Sequence, residues 1–517
     1  MMISGIFPID GLSLFMAIII ASIWPLILVY SFAYIKTDLF RYYSVFILTL
    51  VATLGVVLSK DFLSFYIFLG MMTASNFFLI IQSKKTSSMG AAFKYIIMML
   101  AGGFLILVSI LMLNNLCGTF SFAGISKIAG SLPNALVSYI FSLFVVGCLF
   151  EIGAVPFHTW LPDAHPAAPS PISAMLSGIT IKIGAYGIIR MLLVFGLFPG
   201  HGFLSLTVIS IGLISMVFGV FLALMQTDVK RLLAYSSISQ MGYILLGSGV
   251  GGIGLVGSLF HILNHAIFKA LLFLSMGAVI YSTGQRELSK LGGLWRRMPF
   301  TLCVFAIGAL SISAVPPFNG FMSKSILLQS VSGNQALRFI LIFVSAGTFA
   351  LFIKMFIYAF FGVLPEKLKN VKEAPLLMLL PMFVLSLSCL LIGIFYSVIL
   401  ANFIFPALNS LSLAKRMFAS LRDINVLYET LVILISGFII YFIGEKTGFL
   451  KIKKEPSKWT LFRQLSLDNI YSGFAVFVGK NSRLIKRLHA RSLNIHLLWI
   501  FLALMVLLIL FRGSFTF

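Results

Sequence analysis

Apolar runs of about 20 residues recur along this 517-residue chain, and they constrain its fold more than any other feature. A run of that length crosses a hydrocarbon core of about 30 Å as an α-helix. The runs are continuously apolar, whereas the strands of a transmembrane barrel alternate over about ten residues. With 60% hydrophobic and 10% charged residues, the chain is not an ordinary soluble enzyme. We predict an all-α, polytopic membrane protein.

The runs predict about fourteen membrane spans. They are expected at residues 11–35, 41–58, 61–83, 89–113, 133–155, 171–197, 202–226, 229–249, 252–282, 298–329, 335–362, 374–403, 425–444 and 495–512. The first run follows neither a basic region nor a cleavage site of small residues. We therefore expect it to be a retained span and not a signal peptide.

The formal net charge of +23 serves mainly as an orientation signal. When successive loops are placed on alternate sides, 25 of the 37 basic residues lie on one side and eight on the other. The positive-inside rule makes the richer side cytoplasmic, in the cell membrane, with both termini outside. Once the charge is sorted in this way, we expect no nucleic-acid partner.

Two proline breaks indicate an internal repeat. One predicted span runs into Val155-Pro156, and a later one is interrupted at Val315-Pro316-Pro317. Proline removes a backbone donor and clashes with the preceding turn, so both helices should break inside the membrane. Each break falls in the fourth span of a group of five, at 41–197 and 202–362. Because five is odd, the second group should be inverted, as in inverted-repeat transporters.

The remaining segments complete the predicted organisation. They are an N-terminal span at 1–40, peripheral spans at 374–444, a cytoplasmic amphipathic lateral helix at 445–494 and a C-terminal span at 495–517. The lateral helix is predicted because apolar residues recur there at helical spacing among basic ones. A plain basic linker is the alternative for that segment.

Three ionisable residues within one span have the spacing of a single helix face. His261, His265 and Lys269 follow one another at intervals of four residues, a rise of about 6 Å each. Histidine exchanges protons near neutral pH, and a buried lysine is readily shifted into that range. The column therefore favours proton transfer over isolated structural histidines. No third ligand lies nearby, so a metal site is not expected.

Other ionisable residues are placed around the two breaks. Glu151 precedes the first break and Lys182 follows it, and we expect the two to form an ion pair that is either switchable or purely structural. Lys324 ends the second broken helix. His158, Asp163 and His165 lie in the Pro-rich segment after the first break, where they either admit ions from the cytoplasm or cap helices.

The cysteines give no sign of a cofactor. They stand far apart in sequence, without a CxxC motif or a Cys/His cluster, at Cys117, Cys148, Cys303 and Cys389. Neither a disulfide framework nor a zinc or iron–sulfur site is indicated. We expect no cofactor on this chain, so any redox group would belong to a partner.

Four segments resemble one known family. They are VPFHTWLPDAHPAAPSPISAMLSGITIKIGAYGIIR, DVKRLLAYSSISQMGYILLG, HILNHAIFKALLFLSMGAVI and AVPPFNGFMSKSILLQS. The chain resembles the antiporter-like membrane subunits of respiratory complex I and of Mrp-type cation/proton antiporters. Its tail is most similar to subunits of membrane-bound hydrogenase and formate hydrogenlyase complexes. The resemblance implies two half-channels joined by buried lysines and histidines that move H⁺ or exchange Na⁺ for H⁺.

The resemblance also assigns roles by position. It implies a connecting lysine at Lys182, bridging histidines at His261 and His265, a second-channel lysine at Lys269, an exit-side lysine at Lys324 and a charged cytoplasmic helix end at Lys230. It implies as partners other membrane subunits of a complex, together with peripheral redox subunits.

The chain departs from the family pattern in its first half. The family's usual glutamate falls at Gly70, and its first-channel lysine is replaced by Glu151. We expect Glu151 to supply the missing carboxylate from a neighbouring helix. Two further spans that usually precede the first one in relatives are expected to be absent.

The leading function is therefore an ion-translocating subunit of a redox-driven membrane complex, hydrogenase-related or complex I-like. The alternatives are a subunit of a Mrp-type antiporter, a partner in inorganic-carbon uptake, and a degenerate subunit that no longer pumps. The sequence does not distinguish H⁺ from Na⁺, because carbonyls and hydroxyls can bind Na⁺ without a spaced motif.

Overall fold

The structure is a computed structural model that describes residues 10–196, 202–408 and 425–451. These residues form a helical bundle without a β-strand. Its α-helices are α1 Gly11–Tyr34, α2 Leu39–Leu58, α3 Phe62–Ile80, α4 Thr86–Cys117, α5 Phe122–Ile128, α6 Asn134–Ile152, α7 Leu161–Ala167, α8 Ser170–Met175, α9 Ile181–Phe195, α10 Gly202–Leu224, α11 Val229–Val250, α12 Ile253–Thr283, α13 Pro299–Ile312, α14 Asn319–Ser330, α15 Gln335–Phe360, α16 Leu376–Ile394, α17 Tyr396–Ile399, α18 Phe405–Ala407 and α19 Asn425–Thr447. A π-helical turn, Leu176–Thr180, joins α8 to α9.

Within the described ranges, eleven helical segments are long and apolar enough to cross a membrane. Two further predicted spans correspond to the more polar α11 and to the broken pair α13–α14. The chain is therefore a multi-pass, all-α membrane protein. The predicted span at 495–512 and nearly all of the predicted lateral helix at 445–494 lie outside the described residues.

Aspartates begin three of the spanning helices. Asp10 and Asp61 accept the backbone N–H of the residue three positions later, at 2.8 and 2.7 Å. Asp228 accepts the N–H groups of Lys230 and Arg231 at 2.9 and 3.1 Å. Such caps satisfy donors that a helix leaves unpaired at its first turn, so these aspartates fix where α1, α3 and α11 begin.

The two predicted five-helix groups contain the same backbone pairing between the start of their second helix and the loop after their third. In the first group, an isolated antiparallel bridge joins Asp61 to Ser121, linking the start of α3 to the loop after α4. In the second, the equivalent bridge joins Asp228 to Glu287, linking the start of α11 to the loop after α12. The same backbone connection therefore recurs at equivalent places, which supports an internal repeat.

The two broken helices also have the same local geometry. α6 ends at Gly153 with φ 68°, and α13 ends beside Ala314 with φ 61°. A cis proline bond follows within three residues in both groups, at Pro156 and Pro317. Both predicted proline breaks are present, and each separates a long helix from a shorter one, α6 from α7 and α13 from α14.

Loops from both groups meet at one end of the bundle, which we call the basic face because lysines and arginines crowd its loops. Ser83 Oγ, directly after α3, donates to the Ala167 carbonyl at 3.4 Å. Arg286 donates to the Pro166 carbonyl at 2.9 Å and forms an ion pair with Asp228. α3 therefore ends at the basic face, whereas its counterpart α11 begins there. This opposite sense supports the predicted inversion of the second group.

α19 packs along α15 and is attached to it near both ends. Arg338, close to the start of α15, forms an ion pair with Glu429. Tyr358, close to its end, donates to the Glu445 carboxylate at 3.0 Å. α15 ends at the basic face, where the Gly293 N–H donates to the Phe361 carbonyl. The Arg338–Glu429 pair therefore lies toward the opposite face.

Candidate functional site

The predicted column of ionisable residues lies in the interior of the bundle, on α12. His261, His265 and Lys269 are all 0% exposed. α12 has helices packed against it from both groups, including α8, α11 and α14. A charged group at such a depth costs at least about 2.5 kcal/mol unless its surroundings stabilise it.

The two histidines have different surroundings. His261 contacts Ser323 Oγ through Nδ1 at 3.0 Å and Gln240 Oε1 through Nε2 at 3.2 Å. Neither ring nitrogen of His265 has a hydrogen-bond partner among the described residues. The two rings are nearly parallel, 6.0 Å apart. His265 is also close enough to Lys182 to interact with it electrostatically.

Neutral groups alone hold Lys269 within the described chain. Its Nζ donates to the Leu233 carbonyl at 2.8 Å and to Ser236 Oγ at 2.5 Å, both on α11. Nζ also lies 5.8 Å from the centre of the Phe273 ring. Carbonyl, hydroxyl and ring stabilise an ammonium ion without neutralising it. No counter-ion among the described residues fixes the charge of Lys269, so its protonation depends on the charges of nearby groups.

Lys182 occupies the start of α9, directly after the π-helical turn. Its Nζ donates to the carbonyl of Ser177 within that turn. Ser177 Oγ in turn contacts Ser237 Oγ at 2.8 Å, next to the serine that holds Lys269. A β-carbon at Gly178 would lie 3.2 Å from the Ala266 carbonyl, so glycine lets the turn approach α12 beside His265. Polar contacts thus connect Lys182 to the α12 column.

The expected ion pair between Lys182 and Glu151 does not form. Glu151 is buried, and its carboxylate accepts a hydrogen bond from Thr73 Oγ1 at 3.3 Å. Lys182 instead turns its ammonium group toward its own helix. The sequence interpretation failed because it could not foresee the π-helical turn, which supplies a carbonyl within reach of Lys182.

Glu151, on α6, does not pack against the side of α3 that carries Gly70. Gly70 is exposed, and a β-carbon there would meet nothing within 4 Å. Thr73, the partner of Glu151, lies on the buried side of the same helix. Glu151 therefore does not replace a carboxylate at the position of Gly70, although it places one within the first five-helix group.

Lys324 is bound at the second helix break. Its Nζ donates to the Ile312 carbonyl at 2.9 Å. In an unbroken helix that carbonyl would accept from residue 316, but Pro316 has no N–H. The break therefore creates the acceptor that holds Lys324. The ammonium group also lies 4.9 Å from the Tyr243 ring, and that ring is 5.7 Å from the ring of His261.

Lys230 and His165 extend the buried polar groups toward the basic face. Lys230 Nζ donates to the Ala168 carbonyl at 2.7 Å. His165 is 0% exposed, and neither of its ring nitrogens has a hydrogen-bond partner in the described part of the chain. Its ring stacks on Phe273 at 4.5 Å, the same ring that Lys269 approaches. The sequence grouped His165 with possible access residues, and the structure places it beside the α12 column.

The other two residues of the Pro-rich segment lie apart from His165. Asp163 accepts from Lys94 at 2.9 Å and Arg231 at 2.7 Å, so it ties α7 to α4 and α11. His158 is buried, with its ring 6.3 Å from that of Tyr235. Asp163 therefore connects three helices at the basic face and does not lie beside the α12 column.

Sequence reasoning missed the polar residues that connect these groups. On α11 they are Ser236, Ser237, Gln240 and Tyr243, which contact Lys269, Ser177, His261 and Lys324 respectively. The signal was present in the segment YSSISQMGY, whose hydroxyl and amide groups are unusually dense for a membrane span. The described residues contain no group of three or more His, Cys, Asp or Glu that could hold a metal ion.

Comparison with known proteins identifies the relatives of this arrangement. The family model "NADH:quinone oxidoreductase/Mrp antiporter, TM" matches residues 59–350, more than half of the chain. Hydrogenase-4 component B of Escherichia coli is 35% identical over 422 residues, which cover 74% of this chain and 62% of that protein. Na(+)/H(+) antiporter subunit A1 of Staphylococcus aureus is 34% identical over 492 residues, covering 87% of this chain and 60% of the relative.

Solved structures share the fold. The Mrp complex from Dietzia sp. contains a chain with a TM-score of 0.80 and 22% identity, over 98% of this chain and 56% of that one. The membrane-bound sulfane sulfur reductase, an archaeal respiratory membrane complex, has a chain with a TM-score of 0.76 and 24% identity, over 96% and 88%. This chain spans about three fifths of the length of the curated relatives it matches. It belongs to the NADH:quinone oxidoreductase/Mrp antiporter transmembrane family.

Proposed function

We propose that this chain is an ion-translocating membrane subunit that moves protons, or exchanges Na⁺ for H⁺, through the buried residues of α9, α12 and α14. One observation carries the proposal: Lys269 is completely buried, and only carbonyl, hydroxyl and ring contacts stabilise it within the described chain. A lysine with a purely structural role at that depth would be expected to have a carboxylate partner. Membership of the NADH:quinone oxidoreductase/Mrp antiporter transmembrane family supports the same function.

The proposed path runs across the bundle in short steps. From the basic face it passes Lys230 and His165 to Lys269, which shares the Phe273 ring with His165. It continues along α12 through His265 and His261. From His261 it reaches the neighbourhood of Lys324 through Ser323 and Tyr243. The serine pair between the π-helical turn and α11 joins Lys182 to the same path.

Charge repulsion supplies the coupling in this proposal. Two cations in a medium of low polarity repel each other strongly, and neutral partners do not cancel their charges. A proton that reaches Lys182 therefore disfavours a second charge on nearby Lys269 and promotes its onward transfer. Hydroxyls and histidine rings between the lysines both donate and accept hydrogen bonds, as a proton relay requires.

We also propose that the chain works with other membrane subunits in a larger complex. Relatives belong to assemblies named as hydrogenase, Mrp and sulfane sulfur reductase complexes. A redox-driven complex with peripheral redox subunits is our first assignment, and a Mrp-type antiporter is the second. In both cases the basic face is cytoplasmic and the membrane is the cell membrane. Identification of co-purifying subunits distinguishes the two, because a redox-driven complex must contain an iron–sulfur or nickel–iron protein.

The test of ion translocation is the loss of transport after removal of either buried lysine. In vesicles that carry the assembled complex, we expect Lys269→Ala and Lys324→Ala each to lower coupled transport at least about tenfold, because the path then lacks a charge-carrying group. Lys127→Ala, at an exposed position on α5, is the matched control and should transport normally. If cavity formation impairs assembly, Lys269→Met keeps the volume without the charge. Wild-type transport in both buried variants would instead support the degenerate, non-pumping role.

A further inference from the structure

A cavity beside Lys324 opens between α14, α15 and α19. It has room for about one water molecule. Its walls are mixed: the polar residues are Tyr243, Lys324, Ser325, Ser345, Glu429 and Thr430, and the apolar ones are Ala314, Phe321, Leu328, Leu341 and Ile433. Three of its polar side chains, those of Lys324, Ser345 and Thr430, are at least 93% buried. Lys324 thus lies at the inner end of a small space, lined by polar and apolar side chains, that begins in the core and reaches α19.

Part of the wall near Lys324 carries hydrogen-bonding groups. Tyr243 Oη contacts Ser345 Oγ at 2.7 Å and the Leu341 carbonyl at 3.3 Å. The ring of the same tyrosine faces the Lys324 ammonium group at 4.9 Å. A transferred proton or a partly hydrated cation therefore meets oxygen atoms along this wall.

A carboxylate stands at the other end of the cavity. Glu429 lines the space, and its side chain is 14% exposed. Arg338, which does not line the cavity, holds that carboxylate from the side and is 31% exposed. The pair lies toward the end of the bundle opposite the basic face, since Arg338 is in the first turn of α15. An anion that faces a buried cation across a polar cavity lowers the free energy of a positive charge in between.

We propose that this cavity is the passage between Lys324 and the face opposite the basic face, with Glu429 as its charged wall and Arg338 as the residue that positions Glu429. In the transfer step, one N–H bond of the Lys324 ammonium group breaks and the proton passes to an oxygen acceptor within the cavity. Lys324 is left as a neutral amine, ready for the next proton. This inference rests on the proposed function and adds α19, which lies outside both five-helix groups, to the ion path.

The first test compares two glutamates of the same helix. Glu429→Gln keeps an oxygen that can accept from Arg338 but removes the charge from the cavity. Glu445→Gln makes the same change at the other end of α19, where the carboxylate accepts from Tyr358. In vesicles with the assembled complex, we expect transport to fall about fivefold in Glu429→Gln and to stay at the wild-type rate in Glu445→Gln, because only the former alters the charge along the path.

Arg338 is tested by conservative rescue. We expect Arg338→Gln to lower transport about as much as Glu429→Gln, and Arg338→Lys to restore most of it, because a lysine can still hold the carboxylate in place. A residue that only fastens α19 would show its loss in complex stability, with no difference in the transport of complexes that remain assembled.

Chemical blocking provides a second, independent measurement. In a Cys303→Ser background, Thr430→Cys places a thiol in the cavity wall and Ser332→Cys places one on the exposed loop nearby. A positively charged methanethiosulfonate reagent should lower transport about tenfold in Thr430→Cys and leave Ser332→Cys unchanged, because a fixed cation in the passage repels the ion.

The outcomes separate this inference from the proposed function. Full transport after modification of Thr430→Cys, together with full transport in Glu429→Gln, would overturn the passage even if Lys269→Ala remains inactive. If Glu429→Gln fails to assemble, the blocking measurement alone decides. Wild-type transport in Lys269→Ala and Lys324→Ala would remove the proposed function and this inference together.

Discussion

At the residue scale, the contrast between Arg190 and the buried lysines shows how a structural cation differs from a candidate carrier. Arg190 binds both oxygens of Asp10, at 2.6 and 2.9 Å, and also donates to Ser13 and Tyr186. Burial raises the pKa of the Asp10 carboxyl, but the hydrogen bond and charge of Arg190 outweigh this and keep the pKa below its usual value. Among residues 10–196, 202–408 and 425–451, no carboxylate binds Lys182, Lys269 or Lys324 in this way, and we base the proposal of transport on that difference.

Glu151 offers a prediction that separates its charge from its hydrogen bond. Glu151→Gln keeps an oxygen that accepts from Thr73, so the complex should assemble normally. We expect coupled ion transport to fall about threefold or more, because the first five-helix group loses its buried carboxylate. The measurement is ion uptake by vesicles that contain equal amounts of assembled complex.

Thr73→Val is the matched control for Glu151. It removes the hydrogen bond and keeps the charge at nearly constant volume. Transport should then fall less than in Glu151→Gln. Equal, unchanged transport in both variants would show that Glu151 has no part in ion movement.

The sequence places His261, His265 and Lys269 on one helix face, but it does not indicate which groups the buried lysines contact. The column on α12 follows from helical periodicity alone, which is a local property of the chain. The partners of Lys182 and Glu151 depend on a π-helical turn and on Thr73, 78 residues away from Glu151. Those contacts depend on tertiary packing, which cannot be read from the spacing of residues in the sequence.

At the element scale, the two helix breaks leave backbone carbonyls in the interior that side chains bind, since Lys324 donates to the Ile312 carbonyl and Trp160 to the Phe150 carbonyl. Pro316 removes the N–H that would satisfy the Ile312 carbonyl, and Lys324 takes its place. Asn264 on α12 reinforces the second break by donating to the Asn319 carbonyl at 2.9 Å. The prolines made both breaks predictable from the sequence. The side chains that donate to the freed backbone carbonyls could not be predicted in this way.

The second break depends on a glycine at the start of α14. A β-carbon at Gly320 would lie 1.8 Å from the Ser311 carbonyl oxygen, so α13 and α14 could not keep their separation. We expect Gly320→Ala to destabilise the protein by about 1–3 kcal/mol, as overpacking of a core does. A lower melting temperature of the purified complex would show this.

Gly103→Ala on α4 is the control for that substitution. Its nearest neighbour, Tyr66, would be 3.9 Å from the new β-carbon, which is ordinary contact. The control should leave the stability unchanged or raise it by up to about 1 kcal/mol, because alanine is the better helix former. Equal melting temperatures for the two variants would mean that the junction of α13 and α14 is not closely packed.

At the scale of the whole molecule, the proposed path uses residues from both predicted five-helix groups. Lys182 comes from the first group and the α12 column from the second, and the π-helical turn brings them into contact. We propose that the second group is inverted relative to the first, as in inverted-repeat transporters. The sequence predicted the multi-pass, all-α fold because long apolar runs remain recognisable despite errors of several residues at each boundary.

The two ends of the second group give the last prediction. Ser289 lies on the exposed loop after α12 at the basic face, and Ser332 lies on the exposed loop between α14 and α15. In a Cys303→Ser background the other three cysteines are buried, so a single introduced thiol can be followed. We expect a membrane-impermeant thiol reagent to label Ser332→Cys in intact cells and Ser289→Cys only in inverted vesicles, because the basic face should be cytoplasmic. Labelling of both thiols from one side would contradict the arrangement of the helices, and reversed labelling would contradict only the orientation.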